Sequence, residues 1–257
     1  MSSPAMPEVS AAALVGAAID AIGTVAFCPA LTAWLQTVAP YSFTVVFGYR
    51  GEAKPIDLYD DFPNHRRKVF VTDYLEGPYL LDPFCQGAIR PVEPGFHRLR
   101  SLAPDRFYQG EYFRSYYMRT EIAEEIGCFA EMPGDCHVVF SLMREEKPFS
   151  APEFRKLTGV APIVTALMRR HWADLSREFA TRSTPRPALT GDGLDRLTPR
   201  EREITGWILK GYSAEATGQE LGIASGTVRI HRRNIYAKLG ISSQRELFAR
   251  FLAGISP

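Results

Sequence analysis

The sequence is poor in several features that would place a protein quickly. Its four cysteines, Cys28, Cys85, Cys128 and Cys136, form no C-x-x-C pair and follow no regular spacing, which excludes a disulfide framework and fits reduced thiols in a cytoplasmic protein. No basic residue precedes Arg50, and the Ala-, Val- and Ile-rich stretch over residues 9–27 contains Asp20. A signal peptide needs a positively charged n-region, so this stretch is read as a buried amphipathic helix, and no membrane is expected among the partners. There is no internal repeat and no low-complexity tract. Net charge is also nearly absent, 30 basic against 29 acidic residues. Evenly spread, that balance would argue against nucleic acid, but it is uneven. Residues 195–257 hold 10 Lys and Arg against 6 Asp and Glu, a balance of +4, which leaves −3 on residues 1–194. A basic segment is attached to a mildly acidic body.

What is present suits a soluble chain of two domains, with 257 residues, 46% hydrophobic and 23% charged. The run Ala180-Thr-Arg-Ser-Thr-Pro-Arg-Pro-Ala-Leu-Thr-Gly-Asp-Gly193 interrupts every hydrophobic period and reads as a linker. The expected division is 1–180 for a sensor domain, 181–194 for the linker and 195–257 for a helical domain. Before the linker, helices are expected at Val9–Ile22 and Ala30–Val38 and a strand at Ser42–Tyr49. Asn64–Arg90 reads as a helix in two pieces broken at Gly77-Pro78, and Pro104–Arg119 as one helix. Strands at Gly127–Met132 and Cys136–Met143 flank the turn Pro133-Gly134-Asp135, and Ser150–Thr181 reads as one long helix. The expected fold class is an α+β sandwich, helices around a small antiparallel sheet, GAF/PAS-like or autoinducer-domain-like, followed by an all-α four-helix C-terminal domain.

The last sixty or so residues carry the densest signal. Thr198-Pro199-Arg200-Glu201 combines an N-cap hydroxyl, a proline at the first helical position and a glutamate at the capping-box position. The helix it opens is stopped by Gly211. A short helix from about Ala214 to Leu221, the turn Gly222-Ile223 and a third helix capped at Ser225 and ending before Gly240 complete a helix-turn-helix pattern. At about 100° per residue, Val228, His231, Ile235 and Leu239 form the core stripe of the third helix. The opposite face presents Gly226, Arg229, Ile230, Arg233 and Ala237. Arginines one turn apart can pair with guanine edges, and an aliphatic side chain can pack on a thymine methyl. Thr227 sits at the same helix start, while Arg232 and Lys238 flank the face within reach of phosphates.

The segments Leu197–Ile204, Gly211-Tyr-Ser213, Glu220-Leu-Gly-Ile223 and Ser225–Gly240 resemble the LuxR-type helix-turn-helix domain of quorum-sensing regulators and many response regulators. The resemblance implies that Arg229, Ile230 and Arg233 contact bases. It also implies that the last helix, Ser243–Ala253, forms a dimer contact through Leu247, Phe248, Phe251 and Leu252. Thr217 and Gly218 depart from the family, which usually has an apolar residue and an alanine there, and are expected to weaken their helix by about 1 kcal/mol.

The input domain shows no receiver pattern. Asp60-Asp61 follows Pro-Ile-Asp-Leu-Tyr, which does not read as a buried strand, and is taken as a turn or helix-start cluster. Phe70, Tyr74, Tyr79 and Asp82-Pro83 are similar in spacing to the ligand-binding signature of acyl-homoserine lactone receptors. Phe70 stands where those receptors have a hydrogen-bonding tryptophan, which argues against a lactone. A second aromatic cluster, residues 107–117, sets Tyr108, Tyr112 and Tyr116 on one helical strip, as core, dimer interface or ligand contacts. Metal binding by Cys128, Cys136 and His137 is disfavoured by spacing, and no cofactor is expected.

These readings converge on a cytoplasmic, homodimeric, ligand-responsive transcription factor. Its expected partners are double-stranded DNA, a small-molecule effector and RNA polymerase. Two alternatives stand beside it: a transcription factor governed by a protein partner through the Tyr108 strip, and an enzyme pairing Cys85, Cys128 or Cys136 with His97 or His137.

Overall fold

The structure is a computed structural model and describes residues 10–182 and 193–255. Most of the expected linker, and Val9 at the start of the first expected helix, lie outside the described residues.

Strands β1 (Phe43–Tyr49), β2 (Ile56–Asp60), β3 (Gly95–Arg98), β4 (Glu124–Met132) and β5 (Cys136–Arg144) form one sheet in the order β2-β1-β5-β4-β3. Every pairing is antiparallel. The β4–β5 hairpin closes at Met132 opposite Cys136, around the turn read from Pro133-Gly134-Asp135. The edge strands β2 and β3 are too short for a clear alternating signal and were not expected. Asp60-Asp61 accordingly ends an edge strand and is not a helix start. The Asp61 carboxylate accepts from the Thr44 N–H at 2.6 Å, and Asp60 accepts from Arg67 Nε at 2.9 Å. Main-chain pairing to β1, not burial, makes this segment a strand.

Period-two alternation sends the central strands' side chains to two cores. Val46, Ile126, Cys128, Val138, Phe140 and Leu142 face helices α1 (Ala11–Asp20) and α2 (Phe27–Val38). The same core takes in α7 (Ala151–His171) and α8 (Leu175–Arg182). A capping box between Ser150 and Glu153 opens α7. The single helix expected over 150–181 divides because Trp172 turns into this core, edge-on to Phe27 with centroids 5.6 Å apart.

The other sheet face, with Val45, Phe47, Tyr49, Phe129, Val139 and Met143, is covered by short elements. They are α3 (Asn64–Arg67), a π-helical turn Lys68–Asp73, a 3-10 turn Pro78–Leu81, α4 (Pro83–Ile89), α5 (Leu99–Leu102) and α6 (Glu111–Ser115). The helix expected over 104–119 does not form. In a regular helix Phe107 and Tyr112 would point about 140° apart. Both are buried in one core, and the extended backbone of Gly110 (ψ 158°) between them makes that possible.

Helices α9 (Pro199–Lys210), α10 (Ala214–Leu221), α11 (Ser225–Leu239) and α12 (Gln244–Ile255) follow. The capping box opening α9 is present, with Glu201 accepting from the Thr198 N–H at 2.8 Å. Gly211 ends α9 at φ +94°. The cap of α11 is Ala224, with no side-chain hydrogen bond, and Ser225 is its first helical residue. Gly218 has a steric reason: a Cβ there would lie 2.6 Å from the Ile223 carbonyl oxygen, whose residue donates its N–H to the Gly218 carbonyl at 2.9 Å. The tight turn after α10 needs the missing side chain, which offsets the helix propensity lost.

Candidate functional site

Two places in the chain gather chemistry. The first is a cavity of about 40 Å³ between the sheet and the covering segments. At about 10–15 Å³ of such space per water, it has room for about three waters or a ligand of a few heavy atoms. Phe47, Tyr49 and Met143 reach it from the sheet, Phe70, Tyr74, Asp82 and Phe84 from the segments over β1, and Tyr112, Tyr116 and Tyr117 from the α6 region. Asp82 caps α4, accepting from the Phe84 N–H at 3.0 Å, and its other oxygen accepts from the Tyr74 hydroxyl at 2.6 Å. The Tyr74 and Tyr49 hydroxyls lie 3.3 Å apart, and the Tyr116 hydroxyl donates to the Val69 carbonyl at 2.6 Å.

A second carboxyl, Glu125, lines the same cavity. Neighbouring glutamates of β4 take opposite faces and opposite fates. Glu124 is paired with buried Arg98 at 2.5 Å. Glu125 has the Ser141 and Tyr117 hydroxyls beside it and, among the described residues, no ion pair. Among the described residues no Lys, Arg or His lines the cavity. Burial, and then the Asp82 charge, push the Glu125 carboxyl up to about 8. Asp82 is likewise raised by burial, against the opposing hydrogen bonds from Tyr74 and the α4 backbone. Burial also pushes Tyr49, Tyr74, Tyr112, Tyr116 and Tyr117 well above the ordinary phenol range, so all five stay neutral.

Of the residues singled out in the sequence, Phe70, Tyr74, Asp82, Tyr112 and Tyr116 come together here. Tyr79 does not line the cavity; it is fully buried, its ring 6.1 Å from that of Tyr74. Tyr108 is 48% exposed and lies outside, because the break at Gly110 removes it from the strip. Tyr117, which the sequence sets beside that strip, also lines the cavity, and Glu125 was missed. Extending the β4 alternation two residues back from Gly127 would have put Glu125 on the cavity face.

The second place is the exposed side of α11. Gly226, Thr227, Arg229, Ile230, Arg233 and Ala237 are all exposed, Ile230 by 52%, while Val228, Ile235 and Leu239 are buried. Arg229 is ion-paired with Glu215 of α10. Arg232 folds back on its own helix, with Nε donating to the Tyr236 hydroxyl at 3.1 Å. Lys238 is not free to meet phosphate, since its Nζ donates to buried Glu201 at 2.6 Å. Burial opposes ionisation of Glu201, but the bonds from Lys238 and Thr198 outweigh it and hold the carboxyl below its usual range.

The two places are physically connected. Phe107, at one end of the aromatic segment, abuts Gly211, and the Arg106 N–H donates to the Gly211 carbonyl at 3.0 Å. The Ser213 N–H donates to Asp105 at 3.0 Å, and Arg90 pairs with Glu220 at 3.1 Å while lying 4.9 Å above the Trp207 ring. Helix α6 packs on α9 and α12. Leu247, Phe248 and Phe251 are buried within this chain and Leu252 half-buried, so the expected dimer contact is covered in this arrangement.

Residues 195–251 match the family described as bacterial regulatory proteins, luxR family. An HTH-type transcriptional regulator from the exeN 3′ region of Aeromonas salmonicida is 33% identical over 184 residues, covering 66% of this chain and 93% of that protein. The chain belongs to the LuxR family of transcriptional regulators. The monoamine regulon transcriptional regulator of Klebsiella aerogenes, also similar, is 29% identical over 69% of this chain and 70% of its own length. The N-terminal fold matches the LBD domain of VqsR from Pseudomonas aeruginosa, with TM-score 0.53 and 23% identity over 62% of this chain and 93% of that one.

As in these relatives, the family's business is regulation and not catalysis. The thiols agree. All four cysteines are buried, and burial pushes Cys28 up to about 12 and Cys128 and Cys136 upward as well, the reverse of an activated nucleophile. Among the described residues no group of His, Cys, Asp and Glu could hold a metal ion, and no helix is long and apolar enough to cross a membrane.

Proposed function

We propose that this family member is a cytoplasmic regulator whose N-terminal domain, residues 1–180, holds a small-molecule effector in the aromatic cavity. Residues 195–257 read an operator through Arg229, Ile230 and Arg233, with Gly226 and Thr227 allowing close approach and Arg232 reaching a phosphate. One observation carries the effector reading. The segment from Phe107 to Thr120 lines the cavity with Tyr112, Tyr116 and Tyr117 and, at Phe107 and α6, meets Gly211, α9 and α12. A ligand that shifts these tyrosines therefore moves the surface on which the DNA-reading helices rest. It can change DNA affinity only through unequal affinity for the docked and released arrangements.

Release of α12 from the aromatic segment would free Leu247, Phe248, Phe251 and Leu252 for the homodimer, and two reading helices would then face two half-sites. RNA polymerase would be the downstream partner. The name of the Klebsiella relative, which ties it to a monoamine regulon, supports a small molecule as the input.

Fluorescence anisotropy with a labelled duplex from upstream of the protein's own gene tests the DNA reading. Binding by the wild type, lost in the Arg229→Ala, Arg233→Ala double variant, is expected. Equal binding by both would refute it. Exposed Tyr108 and Met118 favour a second reading, control by a protein partner. Native mass spectrometry of the full chain separates the two, since a co-purifying small molecule supports the cavity and a bound protein supports the partner.

A further inference from the structure

The cavity that we assign to the effector holds two acidic groups with no counter-charge beside them. Two carboxyl groups, Asp82 and Glu125, enter one small aromatic space from opposite walls, α4 and β4. Buried carboxylates in proteins are ordinarily paired. Elsewhere in this chain they are: Glu124 has Arg98 and Glu201 has Lys238. Among the described residues, neither Asp82 nor Glu125 has an ion pair, and the charge of Asp82 that bears on Glu125 is of the same sign. The remaining wall is largely aromatic, with Phe47, Tyr49, Tyr74, Tyr112 and Tyr116 among its residues, and aromatic rings attract cations.

Resting on the effector reading of the cavity, we infer that the effector is a compact organic ammonium ion, whose charged head sits between Asp82 and Glu125 with its carbon skeleton against the aromatic rings. An ammonium has three donors and no acceptor. Asp82 has one oxygen already engaged by Tyr74 and the other by Phe84, each with a further lone pair, and Glu125 presents the second carboxylate. A neutral lactone or alcohol can hydrogen-bond to either carboxyl but brings no counter-charge to the pair. The small volume excludes a long acyl chain in this arrangement.

The ionisation of the two carboxyls supplies a signature. With Glu125 titrating near 8, it is mostly protonated at pH 7, and the groups facing it are Asp82 and the neutral phenols Tyr49, Tyr112, Tyr116 and Tyr117. A cation stabilises the ionised form, so binding expels up to one proton to buffer. Affinity then weakens as pH falls below 8.

The test uses the full-length protein, primary ammonium ions from methylammonium to butylammonium, the matching neutral alcohols, and hexanoyl-homoserine lactone. Thermal shift finds binders, and calorimetry in buffers of different ionisation enthalpy counts protons. A rise in melting temperature with at least one ammonium ion and not its alcohol is expected, with proton release at pH 7. Glu125→Gln, isosteric and uncharged, should weaken ammonium binding by about tenfold or more and abolish the proton release. Shifts with the alcohols or the lactone but with no ammonium ion overturn the cation and leave the effector cavity standing. No shift with any of them overturns both. Proton release undiminished in Glu125→Gln removes Glu125 from the site and overturns the inference as stated.

Discussion

Gly211 sits against Phe107 so closely that a Cβ on the glycine would lie 2.9 Å from the Phe107 Cα. That contact joins the stop signal of α9 to the aromatic segment that lines the cavity, and one residue serves both. Gly211→Ala should cost about 1–2 kcal/mol for the left-handed backbone alone, plus the loss of the contact with Phe107. Gly222, also left-handed at φ +64° but with nothing within 4 Å of where an alanine Cβ would stand, is the control. Small-angle scattering should show a larger radius of gyration for Gly211→Ala and an unchanged one for Gly222→Ala; equal radii would mean that the contact does not hold the two parts together.

On α11 the arginines should divide by role. Arg229→Ala and Arg233→Ala are each expected to cost about 1–3 kcal/mol of binding and to relax preference at one base pair. Arg232→Ala should weaken binding to all sequences alike and lower the salt slope by about one. Anisotropy titrations over a salt series, on the operator and on single-base variants of it, measure both quantities.

Lys238 belongs with stability. Because its ammonium meets buried Glu201 at 2.6 Å, Lys238→Met should lower the unfolding free energy by about 1 kcal/mol and leave the salt slope of DNA binding unchanged. Urea denaturation measures the first and anisotropy the second.

Glu125 fixes a pH dependence of opposite sign to that of a salt-bridged acid. Its folded carboxyl titrates near 8 against 4.5 for the ordinary group. Between those values the folded chain binds the extra proton, so its contribution to stability is complete below about 4.5, declines as pH rises and is lost above 8. Glu125→Gln should flatten the melting-temperature profile across that window and be the more stable protein at pH 8. A wild-type profile rising from pH 5 to 8 as steeply as that of Glu125→Gln would contradict the burial of this group.

Much of the C-terminal domain is legible in the chain because its signals are local. The Thr198–Glu201 box, the glycines at 211 and 240 and the stripe Val228, Ile235, Leu239 act over three to seven residues, and their elements begin and end close to where the pattern puts them. The sensor domain is less legible. β2 is a strand by pairing back on β1 just before it and β3 by pairing with β4 further along, and side-chain periodicity carries no record of main-chain pairing. The cavity was half legible: aromatic spacing gathered Phe70, Tyr74, Asp82, Tyr112 and Tyr116, yet it also included Tyr79 and Tyr108, which point elsewhere.

The sequence by itself determined the helix-turn-helix, its exposed arginine face and the presence of an aromatic, acid-bearing sensor, since capping, helical period and composition are properties of neighbouring residues. Only the tertiary structure decided that Glu125 shares a cavity with Asp82 without a counter-ion, that Lys238 is tied to Glu201, and that Leu247, Phe248 and Phe251 are covered by their own chain. Charge pairing and burial depend on which distant segments are brought together, and packing of the two cores against one sheet sets that.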